Sequence, residues 1–373
     1  MRIGVPREIK ADEYRVGMTP ASVRETVEHG HEVFVQSLAG EAVGLHDADY
    51  QEAGARVVQD AEAVFESAEL IVKVKEPQPE EAALLRPDHI LFTYLHLAPN
   101  PSLTLALSES GCTAIAYETV TDTQGGLPLL TPMSAVAGRM AVQAGAHCLE
   151  IEQGGRGLLL GGVPGTPPAR VTVLGAGVVG SNAARVALGM EADVTILDTS
   201  LRKLAELDLH FGPALNTIFS TADAVQEFVL DADLVVGAVL VPGSETPKLI
   251  SEAMVTEMRK GSVLVDVAVD QGGCAATSRP TTHSNPTYTV DDVVHYCVAN
   301  MPGAVARSST FALNNATLPF VLAIADKGAV TAMRDDAHLR HGLNVCAGRV
   351  TYAAVASSAG LPFAEAEDVL RNP

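Results

Sequence analysis

One stretch constrains this chain more than any other. Val171-Thr172-Val173-Leu174 reads as a buried strand. Gly175-Ala176-Gly177-Val178-Val179-Gly180 then reads as a glycine turn opening a helix of small residues, and Asp193-Val194-Thr195-Ile196-Leu197-Asp198 as a second strand closed by a carboxylate. Strand, turn, helix, strand and acid in that order form the dinucleotide-binding fingerprint in its full context, which a bare glycine pattern is not. Gly175 permits the tight turn, Gly177 lets backbone N–H groups approach a pyrophosphate, and Gly180 lets the helix pack close to its strand. A diphosphate at the helix N-terminus meets N–H groups without intrahelical partners and the positive end of the dipole. Asp198, 18 residues past Gly180, is placed to accept hydrogen bonds from ribose hydroxyls. A carboxylate there repels a 2′-phosphate, so NAD is favoured over NADP.

The rest of the chain must supply whatever the cofactor acts on. With 373 residues, 47% of them hydrophobic, there is material for two or three domains with ample cores. A net charge of −20 argues against a nucleic-acid partner, because phosphate binding needs a basic face. A small anionic substrate then needs locally clustered cations. The five cysteines are scattered, with no CxxC and no Cys/His metal spacing, and read as buried thiols in a reducing, cytoplasmic compartment. Met1-Arg2-Ile3-Gly4-Val5 reads as a first strand, not a signal peptide. The longest apolar run, near residues 234–241, is broken by Gly237 and ended by Pro242-Gly243, too short for a membrane span.

Before the fingerprint, short strands alternate with helices. Strands are expected at 3–5, 32–36, 70–75, 90–95 and 113–117, and a helix capped at Thr19-Pro20 runs to about His29. That rhythm indicates a parallel sheet, whose ligands gather past the carboxyl ends of its strands. Two helices of small residues, from Thr131 to about Glu152 and from Ser308 to about Ala325, bracket the fingerprint region. Within it, further strands are expected at 193–197, 233–238, 262–267 and 295–298. The expected architecture is therefore α/β with two Rossmann-like parallel-sheet domains linked by two long helices. The NAD domain, 130–305, is inserted into a discontinuous substrate and catalytic domain, 1–129 and 306–373. Two such lobes suit a ligand gripped by closure.

Four residues stand out as candidate chemistry. Arg15 lies in a loop before a helix start, where a planar guanidinium makes a carboxylate clamp. Lys75 ends an expected strand and shares a face with Lys73, and a cation there can hold a carboxylate or polarise a carbonyl. Taken alone, either is more often a solvated surface charge. His96 ends the strand before it, and imidazole can both give and take a proton near neutrality; a lone histidine there is more often structural. Asp270 falls in the glycine loop after the 262–267 strand, as a second acid/base or an orienting group, whereas Asp266 inside that strand reads equally well as structural.

With these motifs set out in order, the chain resembles the family shared by alanine dehydrogenases and the NAD-binding subunit of nicotinamide nucleotide transhydrogenase. The resemblance is carried by Gly4-Val5-Pro6-Arg7-Glu8-Ile9-Lys10, Glu13-Tyr14-Arg15-Val16, Lys73-Val74-Lys75-Glu76-Pro77 and Tyr94-Leu95-His96-Leu97-Ala98. It continues through Met133-Ser134, Gly155-Arg156-Gly157, the glycine turn, Asp270-Gln271-Gly272-Gly273, Ser278-Arg279-Pro280-Thr281-Thr282 and Tyr296-Cys297-Val298-Ala299-Asn300-Met301-Pro302. Together these span essentially the whole chain.

The resemblance implies reversible oxidative deamination of L-alanine to pyruvate and ammonia with NAD as hydride acceptor, in a homohexamer. It implies that Arg15 and Lys75 bind the carboxylate and carbonyl end of the substrate and that His96 and Asp270 transfer protons. The implied NAD contacts, besides the glycines, are Ser134, Val178, Val179, Asp198, Lys203, Ser220, Val239, Leu240, Val267, Ala268, Val269, Asp270, Val298, Ala299, Asn300 and Met301. Some positions depart from the family's pattern. Ala135 stands where many relatives carry an acid, and Lys203 where an arginine often assists the ribose. Ala323 and Lys327 stand where some members bind magnesium, so no metal is expected. The alternatives are a transhydrogenase subunit docked on membrane partners and a non-catalytic NAD-binding scaffold. Serine, glycine or glyoxylate are possible secondary substrates, which pocket volume decides.

Overall fold

The computed structural model describes residues 1–239 and 246–371. The chain divides into two compact units, 1–133 with 305–373 and 134–304. It passes from the first to the second near the start of the helix Thr131–Cys148, and returns just before the helix Ala306–Lys327. No single helix among the described residues is long and apolar enough to cross a membrane.

The first unit begins with β1 (Arg2–Val5), β2 (Glu32–Gln36), β3 (Arg56–Val58), β4 (Leu70–Val72), β5 (Ile90–Thr93) and β6 (Thr113–Ala116). The second holds β7 (Arg170–Leu174), β8 (Asp193–Asp198), β9 (Leu215–Phe219), β10 (Leu234–Gly237), β11 (Val263–Asp266), β12 (Thr287–Val290) and β13 (Val293–Tyr296). The chain then returns to the first unit with β14 (Leu343–Cys346) and β15 (Arg349–Val350). The first sheet runs β15-β14-β6-β5-β4-β1-β2-β3 and the second β12-β13-β11-β10-β7-β8-β9. Strands β1 to β6 are mutually parallel, as are β7 to β11 with β13. Only β14 and β15 in the first unit and β12 in the second, each at or next to a sheet edge, pair antiparallel.

Alternation along the strands explains why each sheet is covered on both faces. In the second unit Val171, Val173, Val194, Ile196, Val236 and Val265 enter one core cluster, whereas Leu174, Leu197, Val235 and Leu264 enter another. A parallel strand buried on both faces reads as an unbroken apolar run, which is what these segments are. Burying such a side chain contributes roughly 1.5–3 kcal/mol.

Strand order also marks where a ligand belongs. In the first sheet the chain moves from β1 toward β2 and β3 on one side and to β4 and β5 on the other. In the second it moves from β7 toward β8 and β9 on one side and to β10 and β11 on the other. The order reverses between β1 and β4, and between β7 and β10. Open α/β sheets bind ligands at such switch points, beyond the carboxyl ends of the strands.

Several of the expected strands are shorter than the sequence indicates, and at two of them this moves a candidate residue into a loop. β4 stops at Val72 and β5 at Thr93, so Lys75 and His96 lie three residues beyond them. The cause at β4 is a buried carboxylate, since the Val74 N–H donates to Glu8 Oε1 at 2.6 Å in place of a strand partner. β3, β9, β12, β14 and β15 go unheralded in the sequence. β3, β9, β12 and β15 are sheet edges with positions that are not buried, whereas β14 is buried throughout but only four residues long.

Candidate active site

In the first unit, the loop after β1 carries Arg15 over the end of β4. A Cβ at Gly17 would lie 2.4 Å from the Val72 carbonyl oxygen, so only glycine lets the loop come so close. The long helix Ala306–Lys327 holds the loop in place. Asn314, itself buried, accepts a hydrogen bond from the Thr19 N–H at 2.7 Å and donates to the Val16 carbonyl at 3.3 Å. Thr19 caps the helix Pro20–Glu28 by accepting from the Ser22 N–H, as its sequence indicates.

Arg15 is only 2% exposed. Its guanidinium forks onto one carboxylate. Nε donates to Glu13 Oε1 at 2.6 Å and Nη2 to Oε2 at 2.5 Å, while Nη1 reaches the Met133 sulfur at 3.0 Å. Burial by itself would push the Glu13 carboxyl up. The hydrogen bonds and charge of Arg15 outweigh it and hold the group below the ordinary carboxylate range. In the sequence Glu13 stands inside a motif, with nothing to mark it as the partner of Arg15.

The two lysines of the Lys73-Val74-Lys75 run part company. Lys73 is fully buried, its ammonium 3.2 Å from Glu8 Oε2 and 2.5 Å from Glu81 Oε1. The Lys75 side chain is half-buried and makes no hydrogen bond or ion pair among the described residues. Burial, then the neighbouring charges of Arg15 and Lys10, lower its pKa from the ordinary lysine value. An amine in that state gains from any anion brought beside it. Thr93 ties β5 to this point by donating from Oγ1 to the Lys75 carbonyl at 3.0 Å.

His96 is exposed, between the buried side chains of Leu95 and Leu97. Its backbone lies in the left-handed region, at φ +48°. The imidazole stacks on Tyr94, with ring centroids 5.9 Å apart and planes 16° from parallel. Tyr94 in turn donates to the Leu129 carbonyl at 2.5 Å. Arg15, Lys75 and His96 thus sit beyond the carboxyl ends of β1, β4 and β5, three adjacent strands spanning the switch point.

In the second unit the three fingerprint glycines divide their roles as the sequence indicates. Gly175 has φ +101°, and a Cβ there would meet the Ala238 carbonyl oxygen at 2.8 Å, where the loops after β7 and β10 approach each other. A Cβ at Gly180 would fall 1.7 Å from the Gly175 carbonyl oxygen. At Gly177 a Cβ would meet nothing within 4 Å, leaving open space at the start of the helix Val178–Gly189. Open space, a helix start without a side-chain cap and a glycine backbone fit a diphosphate.

Asp198 braces this turn as well as facing it. Oδ2 accepts from the Ala176 N–H at 2.6 Å and Oδ1 from the Ser200 N–H at 2.7 Å, with the Lys203 ammonium 3.9 Å away. Each carboxylate oxygen has a second lone pair for a ribose hydroxyl. The Ser220 N–H donates to the Asp198 carbonyl at 3.0 Å. Val239 follows β10; Val267, Ala268, Val269 and Asp270 follow β11; Val298, Ala299, Asn300 and Met301 follow β13. All lie past the carboxyl ends of parallel strands, and Ser134 opens this unit on the helix Thr131–Cys148. Leu240 lies outside the described residues.

Asp270 is exposed in the short turn Val269–Gln271, beside Gly272 and Gly273, both at positive φ. Lys248, which no sequence motif marks, anchors that loop by donating to the carbonyls of Gly272, Gly273 and Ala275. Asp266 is structural. Its carboxylate accepts from the Ala268 and Cys274 N–H groups and the Ser278 hydroxyl at 3.1, 2.7 and 2.5 Å. All five cysteines are buried free thiols, and burial pushes Cys112 and Cys148 up to about 11. On the long helix, Lys327 pairs with Asp335 at 2.8 Å.

Known proteins are similar to this chain. The family models described as "Alanine dehydrogenase/PNT, N-terminal domain" and "Alanine dehydrogenase/PNT, C-terminal domain" match residues 4–137 and 141–353. The chain is 61% identical to an alanine dehydrogenase of Halomonas elongata, over 99% of this chain and 100% of that one. It is 51% identical to one from Mycobacterium tuberculosis over the same shares. A solved L-alanine dehydrogenase superposes with a TM-score of 0.93 at 52% identity, covering 96% of this chain and 99% of that one. A transhydrogenase from Sinorhizobium meliloti superposes at 0.80 with 24% identity, over 95% of this chain and 100% of that one, and that likeness concerns the fold alone. With both family models matched and near-complete coverage at such identity, the chain belongs to the alanine dehydrogenase/PNT family.

Proposed function

We propose that this protein catalyses the reversible oxidative deamination of L-alanine to pyruvate and ammonia with NAD. The observation that carries the reading is the Lys75 amine, left without a carboxylate partner among the described residues, next to the Arg15–Glu13 fork at the switch point of the first sheet. Arg15, Lys75 and Glu13 sum to one positive charge, the complement of a single substrate carboxylate.

When bound, NAD supplies the hydride acceptor. The chain's own residues do the rest. Arg15 and Lys75 draw in the carboxylate and fix the orientation of the α-carbon, a positioning contribution. After the α-carbon is oxidised, water adds and ammonia leaves. Both steps move protons, and His96, with its ring in solvent and stacked on Tyr94, gives and takes them. The family resemblance supports Asp270 as the second proton-transfer group. Gly177 and the helix start behind it receive the diphosphate, and Asp198 the ribose. The family resemblance also supports a cytoplasmic homohexamer, a state that light scattering would measure.

The direct test is reduction of NAD by purified protein with L-alanine. Turnover with NAD and little with NADP is expected, with glycine and serine as poorer substrates in this direction and glyoxylate, with ammonia and NADH, in the reverse one. No turnover with alanine at any mildly alkaline pH overturns the reading.

A further inference from the structure

His96 adopts a left-handed backbone conformation that a non-glycine residue takes only at a cost, so something must hold it there. Leu95 and Leu97 are buried in the same core cluster, which fixes the chain on either side of His96 without dictating the peptide between them. The remaining constraint comes from the next strand. β5 and β6 pair in parallel with Thr93 opposite Ala116. Glu118, two residues past that register point, is thereby set beside Leu95 and His96. One of its oxygens accepts the His96 N–H at 2.6 Å and the Leu95 N–H at 3.1 Å, and the other lies 3.2 Å from the same Leu95 nitrogen. Hydrogen bonds to a carboxylate are about twice as strong as neutral ones, enough to offset the backbone cost.

We propose that Glu118 is the positioning residue for His96: its carboxylate clamps two consecutive N–H groups and so aims the imidazole at the substrate. This rests on the reading of His96 as the proton-transfer group. Glu118 touches no reacting atom in this assignment. It acts through the His96 backbone, and Tyr94 stacks on the ring that results.

The test is a double-mutant cycle on the full-length enzyme, with Glu118→Ala, Glu118→Gln and His96→Ala, in alanine oxidation. Glu118→Ala is expected to lower kcat roughly tenfold or more, with KM for NAD and NADH binding unchanged. Glu118→Gln keeps an oxygen acceptor and should recover most of that loss. In the His96→Ala background neither Glu118 change should cost anything further. Should Glu118→Ala not fold, the Gln variant and its cycle with His96→Ala decide alone: a small loss that vanishes in the His96→Ala background supports the proposal. Wild-type kcat in both Glu118 variants, beside a crippled His96→Ala, overturns the Glu118 assignment alone. So does a loss that adds in full to that of His96→Ala. Wild-type turnover in His96→Ala instead sinks the role of His96 and this proposal with it.

Discussion

Lys73 and Lys75 stand two residues apart on one extended run, and only Lys73 is enclosed by carboxylates, Glu8 and Glu81, in the core. The pair shows how one sequence pattern serves two ends. The inner lysine joins the end of β4 to the core, and the outer one makes no ion pair among the described residues.

Exchange of each lysine for methionine should therefore give opposite phenotypes. Removing Lys73 leaves two buried carboxylates without their cation and should cost about 3 kcal/mol or more of stability, read by urea denaturation. Removing Lys75 should leave stability within about 0.5 kcal/mol of wild type. It should also lower kcat/KM for pyruvate roughly 30-fold or more, about 2 kcal/mol of charged hydrogen bonding. Equal stability losses in the two variants would contradict this division.

The lowered pKa of Lys75 has a pH consequence of definite sign. The amine is charged below its pKa, and burial together with Arg15 and Lys10 brings that pKa down from 10.5. Pyruvate affinity should therefore weaken as pH rises through an alkaline range where an ordinary lysine is still charged. Pyruvate KM measured against pH should show this limb in the wild type and lose it in Lys75→Met. A limb that survives the substitution belongs to another group.

Gly177 and Gly180 separate cofactor binding from folding. An added Cβ at Gly177 points into open space, whereas one at Gly180 falls on the Gly175 carbonyl. Gly177→Ala should keep stability within about 1 kcal/mol but weaken NADH binding roughly tenfold or more by occupying the diphosphate's approach. Gly180→Ala should destabilise by about 3 kcal/mol. Thermal unfolding with NADH fluorescence titration reads both, and intact NADH affinity in Gly177→Ala would remove the diphosphate from that place.

On the proposed reading the Asp198 carboxylate both braces the turn and faces the ribose, so Asp198→Gly should have two effects. Loss of its repulsion should narrow the preference for NAD over NADP by roughly tenfold. Loss of its bond to the Ala176 N–H should also weaken NAD itself. Ratios of kcat/KM for the two cofactors, with NADH affinity alongside, check this. Unchanged selectivity would mean that Asp198 braces the turn and nothing more.

The second unit was the more legible in the sequence. Its fingerprint is local: strand, glycine turn, helix and closing acid lie within about thirty residues of one another, and each glycine's role depends on backbone a few positions away. The cap at Thr19, the parallel β-strands and the two long helices are local in the same sense. Edge strands β3, β9, β12 and β15 are not legible, because an edge buries too little to impose a pattern, and the buried β14 is too short, at four residues, to show a period.

The amino-acid sequence by itself determined that a dinucleotide turn exists, which strands form the cores, and which cations and imidazole are candidates for chemistry. Only the tertiary structure decided what surrounds each candidate. Glu13 at Arg15, Glu8 and Glu81 at Lys73, and Glu118 behind His96 are assigned by loop path and strand register. Save for Glu13 and Glu81, these partners are distant in sequence, and no spacing rule brings Glu8 to Lys73 or Glu118 to His96. The physical reason is that a charge's role is set by what surrounds it after burial, and a parallel sheet brings together residues that the chain itself keeps apart.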